Sequence, residues 1–378
     1  MLVISSLDYG GAERQVLAIA ERLDRGRFDP RICSLAPHLA LAEAQGCEVP
    51  VHVVAKRSRL DVTVVFRLAR LLRRHRVELV HAFLFDAELA SSLAARLAGV
   101  SAVLCSERGA DYHVPWRHRI AFRLTRWLSS GLVANSVAGK RFSMRLRGLP
   151  DRSVHVVYNG VDIERFAPRP AAELRRSLGI GPDDHVVGMV ATFRPQKNHP
   201  LFFQMAARIL ARHPDSWFVC VGSPFRGGQQ DSDTYHREML ELVDRLGIGS
   251  RCLLLGARRD VAELYNVFDV AVLTSSKLEG TPNALLEAMA SGVPVVATDI
   301  ADNAIHVPDG EVGFIVPTGD AVALSDRVER LLLNAERRRL MGAAARRHAQ
   351  ENYSVLAMAE RMAAVYESAV GRGLGASR

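Results

Sequence analysis

The sequence predicts an α/β protein made of two doubly wound parallel sheets. Short apolar runs alternate with amphipathic helical patterns along the whole chain, which is typical of βαβ units. A turn-rich stretch from Tyr158 to Pro168 interrupts this alternation, and a fresh series of strands follows it. The length of 378 residues is sufficient for two domains. We therefore expect Rossmann-like domains at residues 1–160 and 161–351, with a final helix at about 352–370 that packs back on the first.

The elements of the first domain follow from hydrophobic periodicity. Short runs rich in Val, Ile and Leu predict strands, and apolar residues at helical spacing predict helices. The predicted strands are Leu2–Ser5, Arg31–Leu35, Val49–Val54, Leu79–His81, Val103–Ser106, Gly131–Val133 and Val154–Val157. The predicted helices are Ala12–Leu23, Val62–Arg74, Ala87–Leu97 and Arg117–Leu128.

The second domain repeats the same plan. Its predicted strands are Val186–Val190, Trp217–Val221, Cys252–Leu255, Val270–Leu273, Val295–Ala297 and Gly313–Val316. Its first helix is predicted to start after Pro200, and the last helices are Ala321–Asn334, Ala335–Gln350 and Ser354–Val370. A surface loop is expected at residues 227–233, and a frayed tail at the Gly-rich end of the chain. The carboxyl ends of both sheets are expected to face one cleft, so functional residues should lie in the loops that follow strands.

One stretch, residues 279–296, contains the strongest local signals. The pattern predicts a loop, a helix with Thr281 as its N-cap and Pro282 as its first residue, and then a second strand. Gly292 is predicted to end the helix in the left-handed conformation, and Pro294 to prevent its continuation.

Two carboxylates of this stretch are expected to face the same cleft. Glu279 lies in the loop and Glu287 in the helix. The helix start between them carries unsatisfied N–H groups and partial positive charge, which together favour an anion.

Composition and cysteine usage exclude several classes of protein. The N-terminus enters an apolar strand without a basic segment or a small-residue cleavage site, so we expect no signal peptide, and no charge-free apolar run is long enough to span a bilayer. Few residues precede the first glycine pair, so the true start codon could lie upstream of Met1. The five cysteines form no CxxC pair and four fall in predicted strands, which indicates buried thiols in a reduced, cytoplasmic protein.

Positive charge is concentrated in the first domain. Residues 1–160 contain 24 Lys and Arg against 14 Asp and Glu, whereas the net charge of the whole chain is +8. Much of the excess lies around residues 117–147, near Trp116 and Trp127. Basic helices with tryptophans suit an anionic membrane surface, so we expect peripheral contact with the inner face of the membrane, the alternative being a solvated surface. No nucleic-acid motif accompanies the charge, and we expect no nucleic-acid partner.

Two strand-to-helix loops have the composition of phosphate sites. Gly10 and Gly11 open the first helix, where glycines allow close approach of a phosphate to main-chain donors. Arg194 and Lys197 follow the first strand of the second domain. They suit a diphosphate, because arginine presents a planar fork of N–H donors and lysine a point charge. The dinucleotide fingerprint and the P-loop motif are both absent from the sequence, which counts against NAD-type proteins and P-loop NTPases.

Taken together, these motifs resemble a known family. The resemblance is carried by Gly10-Gly-Ala-Glu13, Asn159-Gly-Val-Asp162, Arg194-Pro-Gln-Lys197 and Glu279-Gly-Thr-Pro-Asn-Ala-Leu-Leu-Glu287 with the Ala-Met-Ala-Ser-Gly-Val-Pro-Val-Val that follows. The chain is similar to the retaining glycosyltransferases of family 4, which have the GT-B fold. The resemblance extends over nearly the whole sequence.

The resemblance implies roles for individual residues. Glu287 would accept hydrogen bonds from the ribose hydroxyls of a nucleotide-diphosphate sugar, and Glu279 would hold a sugar hydroxyl. Arg194 and Lys197 would neutralise the departing diphosphate. Sugar and phosphate would also touch the segment formed by Gly280, Thr281, Pro282 and Asn283. The base would lie against main chain near Gly222 and Arg258, and Gly10 and Gly11 would complete the donor site.

The resemblance also implies that catalysis needs neither a cofactor nor a metal. This agrees with the weak case for Asp231 and Asp233 as metal ligands, because they lie in a hydrophilic loop. The acceptor would be a glycan or a lipid-linked glycan in cell-envelope or exopolysaccharide synthesis.

The sequence departs from the family pattern in two loops, those that contain Arg108 and Ile305. Many members have a donor-contacting histidine in a first-domain loop where this chain has Arg108, and an arginine can bind charge or sugar oxygens but cannot act as a base. His81 is either a cleft residue or a satisfied histidine at a strand end. An acidic residue is expected where Ile305 stands, with Asp302 and Asn303 as candidate replacements.

Two other functions stay open at this point. A nucleotide-sugar epimerase can have the same fold, and a non-catalytic glycan-pathway protein could retain a degenerate cleft. The sequence does not identify the donor, although a UDP sugar is preferred, nor the sugar, the linkage, the acceptor or the oligomeric state.

Overall fold

The computed structural model describes residues 1–7, 10–37, 46–58, 61–110, 112–224 and 232–375. Two units are formed by this part of the chain: unit 1 is Met1–Gly160 together with the helix that begins at Val355, and unit 2 is Val161–Ser354. Each unit contains one parallel sheet flanked by helices. The predicted fold class, α/β with two doubly wound sheets, is confirmed.

The sheet of unit 1 has seven strands among the described residues. They are β1 (Leu2–Ile4), β2 (Ile32–Ser34), β3 (Val51–Val53), β4 (Leu79–Phe83), β5 (Ala102–Glu107), β6 (Gly131–Ala134) and β7 (Val154–Val156). In space their order is β3-β2-β1-β4-β5-β6-β7, with Val3 opposite Cys33 on one side and opposite Ala82 on the other. The direction of winding reverses between β1 and β4, and open α/β sheets bind ligands beyond the carboxyl ends of strands at such a point.

The sheet of unit 2 has six strands among its described residues and repeats this order. The strands are β8 (Val186–Val190), β9 (Trp217–Val221), β10 (Cys252–Leu254), β11 (Val270–Leu273), β12 (Val295–Thr298) and β13 (Gly313–Val316). Their order in space is β10-β9-β8-β11-β12-β13. The winding therefore reverses between β8 and β11, and the loops that follow these two strands are neighbours.

The helices pack on the sheets through apolar faces. In chain order they are α1 (Gly11–Arg22), α2 (Thr63–Arg74), α3 (Phe85–Ala98), α4 (Trp116–Leu128), α5 (Val137–Arg147), α6 (Ala172–Ser177), α7 (His199–Leu210), α8 (Ser232–Arg245), α9 (Val261–Tyr265), α10 (Asn283–Ala290), α11 (Asn303–His306), α12 (Ala321–Leu332), α13 (Ala335–Tyr353) and α14 (Val355–Gly375). Because alternate strand residues point to opposite faces, Leu2 and Ile4 pack with Met362 of α14, whereas Val3 packs with Leu68 of α2.

The predicted strands are confirmed with small differences at their ends, whereas several helices differ. Helix α5 is missing from the prediction, although Ser136 caps it by accepting the Gly139 N–H and Gly148 ends it in the left-handed conformation. Helix α7 begins at His199, so the start predicted after Pro200 is too late. Helix α14 continues to Gly375, where a frayed tail is predicted. Residues 225–231, which include most of the surface loop predicted at 227–233, lie outside the described part of the chain.

Candidate active site

In unit 2, Lys197 and Glu279 meet where the loops after β8 and β11 are neighbours. Lys197 ends a 3-10 turn, Pro195–Lys197, and its ammonium forms a salt bridge with Oε1 of Glu279. The Ser275 hydroxyl donates to the same oxygen at 2.6 Å. The two donors hold the carboxylate in one orientation, because hydrogen bonds to a charged group are strong and directional. Only 9% of the Glu279 side chain and 22% of the Lys197 side chain are exposed, so the pair is largely shielded from water.

The same two loops are joined through their main chains. The Thr274 hydroxyl donates to the carbonyl of Lys197 at 2.7 Å, and the Ser276 N–H donates to the carbonyl of Gln196 at 2.8 Å. Arg194 is the cap residue before the 3-10 turn, and its carbonyl accepts the Lys197 N–H at 2.9 Å. The position of the basic loop is therefore fixed by the loop that carries Glu279.

Leu278, immediately before Glu279, has a strained backbone. Its φ is +66°, a conformation in which a residue with a Cβ is disfavoured. Such strain costs about 1–3 kcal/mol and persists where the surroundings determine the conformation, often at functional sites. The strained residue Leu278 directly precedes Glu279, whose carboxylate lies beside Lys197.

The start of α10 differs from the prediction. The helix begins at Asn283, and Pro282 occupies the cap position with φ −72° and ψ 120°, without a side-chain cap hydrogen bond. The predicted N-cap, Thr281, lies one residue outside, and Pro282 is not the first helical residue. Since proline has no N–H, the main-chain donors of this segment are those of Gly280, Thr281 and Asn283.

Glu287 lies about one turn into α10 and is 5% exposed. The hydroxyl of Tyr265, at the end of α9, lies 3.3 Å from Glu287 Oε2 and 3.0 Å from the carbonyl of Ala284. Helix α10 ends as predicted, with Gly292 at φ +74°. A Cβ at Gly342 of α13 would lie 2.1 Å from the carbonyl oxygen of Gly292, so these two backbones approach closely.

Backbone geometry requires a glycine at position 222, independently of the predicted contact with a base. It follows β9 at φ +152°, and a Cβ there would lie 1.9 Å from the carbonyl oxygen of Ala191. Its N–H donates to the carbonyl of Gly256 at 2.9 Å, which joins the ends of β9 and β10. The Arg258 guanidinium pairs with the neighbouring Asp260 on the surface.

In unit 1, Gly10 caps α1 and Gly11 begins it. A Cβ at Gly10 would lie 2.1 Å from a carboxylate oxygen of Glu13, so the Glu13 side chain folds back over the start of the helix. Gln15 of α1 makes two 2.9 Å hydrogen bonds with the main chain of Gly160. The motif that begins at Asn159 is thereby fixed to α1.

Of the two alternatives for His81, a cleft residue or a satisfied histidine at a strand end, the structure agrees with the second. It is completely buried within β4, where its Nδ1 lies 2.7 Å from the Tyr366 hydroxyl and its Nε2 lies 2.8 Å from the Ser106 hydroxyl. Burial holds the pKa of His81 well below its usual range, so the ring is neutral.

Arg108 directly follows β5 and is half-buried. Its Nη1 donates to Oδ1 of Asn159 at 2.9 Å, and its guanidinium lies over the ring of Phe83 at 4.8 Å. Asn135, after β6, lies 3.4 Å from the same Asn159 oxygen. Arg108 is thus connected to residues that follow β6 and β7 at the carboxyl edge of the sheet.

A buried charge cluster supports the Arg108 loop. Arg147 of α5 donates to both oxygens of Glu88 of α3 at 2.9 and 3.2 Å and lies 3.9 Å from Glu107. Glu107 also accepts the main-chain N–H of Arg108 at 3.1 Å and the hydroxyl of Ser143 at 3.0 Å. Burial raises the pKa of Glu88 to about 7 and also raises that of Glu107.

The two candidate replacements for the acidic residue expected after β12, Asp302 and Asn303, are buried. Asp302 and Asn303 are 2% and 0% exposed, and the Asn303 amide donates to the carbonyl of Thr298 at 2.9 Å. Of the pair weighed as metal ligands, Asp231 lies outside the described residues and Asp233 lies in the first turn of α8. Among the residues with described positions, no group of three metal-ligating side chains is present.

Helix α4 has an exposed apolar stripe with basic residues beside it. Trp116, Ile120 and Trp127 are 66%, 50% and 79% exposed, and their spacing places them on one side of the helix. Arg119 and Arg123 are exposed on the same side. No described helix combines the length and the apolar character that crossing a bilayer requires.

Ser275 and Tyr265 are the site residues that the sequence analysis misses. Ser275 belongs to a run of three residues with hydroxyl side chains directly after β11. Because the end of this strand is predicted from the sequence, the run could have been identified as part of a loop at the site. Tyr265 has no comparable signal, because only packing brings α9 beside α10.

Two parallel sheets of the same strand order, the second with the Lys197–Glu279 ion pair at its switch point, define an α/β protein with two doubly wound units. Residues 171–348 match the family model described as Glycosyl transferases group 1, and residues 9–165 match the one described as Glycosyltransferase Family 4. Because these two matches together take in most of the chain, it belongs to this family of glycosyltransferases, as the sequence predicts.

Individual relatives agree with this assignment. The chain is 29% identical over 272 residues to the UDP-Gal:alpha-D-GlcNAc-diphosphoundecaprenol alpha-1,3-galactosyltransferase of Escherichia coli, an alignment that covers 69% of this chain and 67% of that protein. It is 32% identical over 218 residues to the lipopolysaccharide core biosynthesis mannosyltransferase LpsB of Rhizobium meliloti, covering 56% of this chain and 60% of the relative. The crystal structure of Anabaena HepE in complex with UDP-glucose has a TM-score of 0.85 at 23% identity, covering 97% of this chain and 99% of that one. This likeness confirms the GT-B fold.

Proposed function

We propose that this protein transfers a sugar from a UDP sugar to a hydroxyl of a lipid-linked or growing envelope glycan, with retention at the anomeric carbon and without a metal. The observation that carries the proposal is the Lys197–Glu279–Ser275 cluster where the loops after β8 and β11 are neighbours, with Glu287 close behind it in α10. A fixed carboxylate, a cation and a helix start are the groups that a sugar diphosphate requires.

The donor contacts proposed in unit 2 follow from this arrangement. Both described donors to Glu279 reach Oε1, so a sugar hydroxyl would donate to Oε2. Glu287, oriented by the Tyr265 hydroxyl, would accept the ribose hydroxyls. The N–H groups of Gly280, Thr281 and Asn283 would hold sugar and phosphate oxygens.

The remaining donor contacts involve the phosphates and the base. Arg194 and Lys197 would stabilise the charge on the departing diphosphate, which is where negative charge increases in the transition state. Lys197 keeps its contact with Glu279 while doing so, and thereby couples sugar binding to departure of the leaving group. Main chain at Gly222, with Arg258 nearby, would border the base, and Gly10 and Gly11 are proposed as phosphate contacts of unit 1.

The proposed reaction uses front-face attack. The bond between the anomeric carbon and the diphosphate oxygen breaks, the acceptor oxygen bonds to the same face of that carbon, and the acceptor proton passes to the departing diphosphate. This route requires no enzymatic nucleophile. Glu279 and Glu287 then bind hydroxyls, unlike the acid and nucleophile pair of a glycosidase.

The names of the relatives support the substrate classes. The Escherichia coli relative is a UDP-Gal transferase whose acceptor is a sugar diphosphoundecaprenol, and the HepE structure holds UDP-glucose. We extend to this chain a UDP sugar as donor, which both names print, and an envelope glycan as acceptor, in line with the Escherichia coli relative and the lipopolysaccharide core mannosyltransferase.

A membrane-bound acceptor fits the surface of α4. Tryptophans that project beside arginines suit the interface of an anionic bilayer, where each basic side chain contributes about 1 kcal/mol. We propose that Trp116, Ile120 and Trp127 enter this interface on the inner face of the membrane, while Arg119 and Arg123 contact lipid phosphates.

The transfer itself is tested with single variants of the cluster. Glu279→Gln and Lys197→Ala are expected to lower UDP release in the presence of donor and acceptor by at least about a hundredfold, which corresponds to about 2.7 kcal/mol of transition-state stabilisation. Lys277→Ala is the matched control, because Lys277 lies exposed in the same loop. Equal loss in the control, or no loss in the two site variants, would refute the assignment. Proton NMR of the product reports retention or inversion.

The donor and the alternative functions are tested separately. A thermal-shift panel of UDP, GDP and ADP sugars is expected to give its largest stabilisation with a UDP sugar, since a ligand stabilises the state that binds it. An epimer formed from donor alone would indicate an epimerase, and unchanged biological activity of Glu279→Gln would indicate a non-catalytic protein. Either result overturns the proposal.

Membrane binding is tested by co-sedimentation with vesicles of phosphatidylglycerol and phosphatidylcholine. Replacing Arg119, Arg123 and Arg126 by Glu is expected to weaken binding by about a hundredfold or more, since three cations each contribute about 1 kcal/mol. The control replaces three exposed arginines of unit 2, Arg330, Arg339 and Arg347, by Glu. Binding that is unchanged in the α4 variant, or insensitive to salt, would remove the membrane part of the proposal.

A further inference from the structure

The Arg108 guanidinium has one edge that no protein group in the described part of the chain matches. Its Nη1 is used by Asn159, whereas Nε and Nη2 are buried and have no hydrogen-bond acceptor within the described residues. These two nitrogens form the side of the guanidinium that presents two parallel N–H groups. Buried donors are nearly always paired in folded proteins, so an unmatched pair on a cation requires an explanation.

The neighbouring acidic groups do not supply the missing acceptor. The Glu107 carboxylate accepts main-chain N–H groups and the Ser143 hydroxyl, and it belongs to the cluster with Arg147. The Glu13 carboxylate folds back over Gly10. Neither carboxylate forms a salt bridge with Arg108 among the residues whose positions are described.

The guanidinium is held rigidly in place. Asn159 fixes one end, the Phe83 ring lies 4.8 Å beneath it, and the Arg108 N–H is anchored to Glu107. A fork of fixed orientation loses little entropy when it binds, and its two N–H groups match the spacing of two oxygens on a carboxylate or phosphate.

The location is the carboxyl edge of the unit 1 sheet. Arg108 directly follows β5, and its partner Asn159 follows β7. Ligands of open α/β sheets bind beyond this edge. Burial lowers the pKa of Arg108 to about 10, so the cation persists at neutral pH but is held in surroundings that would favour an added anion.

We propose that the Nε–Nη2 edge of Arg108 binds an oxyanion carried by the acceptor, and so selects acceptors with a phosphate or a carboxylate group. This inference rests on the proposed transferase function. The two sources of such an oxyanion are the diphosphate of a lipid-diphosphate-linked sugar and the carboxylate of an acidic sugar in a glycan. Arg108 is then a specificity-determining residue for the acceptor.

A binding experiment tests the site without requiring turnover. Inorganic pyrophosphate and sodium glucuronate are titrated by calorimetry into the full chain saturated with UDP, so that the donor site is occupied. Arg108→Met is expected to weaken binding of one of these probes at least about tenfold, and Arg108→Lys nearly as much, because a lysine keeps the charge but loses the fork. Arg152→Met, which removes an exposed arginine of unit 1, is expected to change nothing.

The stronger probe identifies the source of the oxyanion. Tighter binding of pyrophosphate indicates a diphosphate acceptor, and tighter binding of glucuronate indicates an acidic glycan. Equal affinities of wild type and Arg108→Met for both probes would overturn the proposal, as would full affinity in Arg108→Lys. Circular dichroism and UDP affinity of each variant show whether the fold is kept, and Arg108→Gln provides a second variant if Arg108→Met does not fold.

Kinetics separate this inference from the proposed function. With a sugar diphosphate carrying a short prenyl chain as acceptor, Arg108→Met is expected to raise the acceptor KM at least about tenfold and the donor KM much less, whereas Arg152→Met is expected to change neither. If wild type transfers sugar and the variant shows the same acceptor KM, the inference fails and the transferase stands. If the wild type transfers no sugar but binds the oxyanion, and Arg108→Met does not bind it, the transferase assignment fails and the anion site stands.

Discussion

Replacing Glu88 by glutamine is expected to remove a pH dependence from the stability of unit 1. Glu88 and Glu107 are buried around one cation, Arg147. Burial alone would lower the pKa of Arg147, but Glu88 and the other acidic groups raise it, so the guanidinium stays charged. One cation balances one ionised carboxylate, and the second carboxyl group therefore retains its proton to a higher pH than in water.

The size of the effect follows from the pKa of Glu88. Burial raises it from an ordinary value of 4.5 to about 7 in the folded protein. The folded state binds this proton more tightly than the unfolded chain, so the stabilisation is fully present below pH 4.5 and is lost as the pH rises to about 7. A pKa difference of about 2.5, at about 1.4 kcal/mol for each unit, gives a change of roughly 3 kcal/mol in the free energy of unfolding.

Urea unfolding of wild type and Glu88→Gln at a series of pH values measures this difference. The stability of wild type relative to the variant is expected to fall by roughly 3 kcal/mol between pH 4 and pH 8. Comparing the two proteins cancels the buried histidines, whose lowered pKa values act in the opposite direction. Glu78→Gln, at an exposed position of unit 1, is the control and is expected to stay parallel to wild type. A constant difference between wild type and Glu88→Gln across this range would refute the reasoning.

Three further predictions follow from close contacts. Tyr265→Phe removes the hydroxyl that approaches the α10 carboxylate, and calorimetry is expected to show UDP binding about fivefold weaker, the effect of one hydrogen bond. In thermal unfolding, Gly342→Ala is expected to lower the midpoint sharply because the new Cβ would lie 2.1 Å from the Gly292 carbonyl, whereas Gly371→Ala meets no atom within 4 Å and should be neutral or stabilising. His81→Phe leaves two hydroxyls unpaired and is expected to cost about 2 kcal/mol of stability without changing the acceptor KM, and a changed KM at intact stability would contradict its core assignment.

The fold class could be predicted because its signals are local. Strands β8, β9, β11 and β13 have the bounds that the apolar runs predict, and the turn-rich stretch marks the point where the second series begins. The helix stop at Gly292 is equally local, because only the next few residues decide it. Helix α5 was missed since its basic residues conceal the apolar face that periodicity detects.

The chemistry of the site depended on tertiary structure. By itself the sequence determined that Glu279, Glu287, Arg194 and Lys197 lie in loops after strands and at a helix start, and that they resemble the motifs of one glycosyltransferase family. It could not decide that Lys197 pairs with Glu279, which lies 82 residues away, because that contact depends on β8 and β11 being neighbours at the switch point.

The same reason separates His81 from Arg108. Both occur near the ends of predicted strands, and sequence alone makes either a candidate for substrate contact. Packing of α14 against the sheet supplies Tyr366 and buries His81 with both ring nitrogens paired. Arg108, by contrast, receives a hydrogen-bond partner for one side of its guanidinium and none for the other from the residues with described positions. Which polar group is satisfied and which retains donors for a ligand is set by neighbours distant in sequence, so the fold alone decides it.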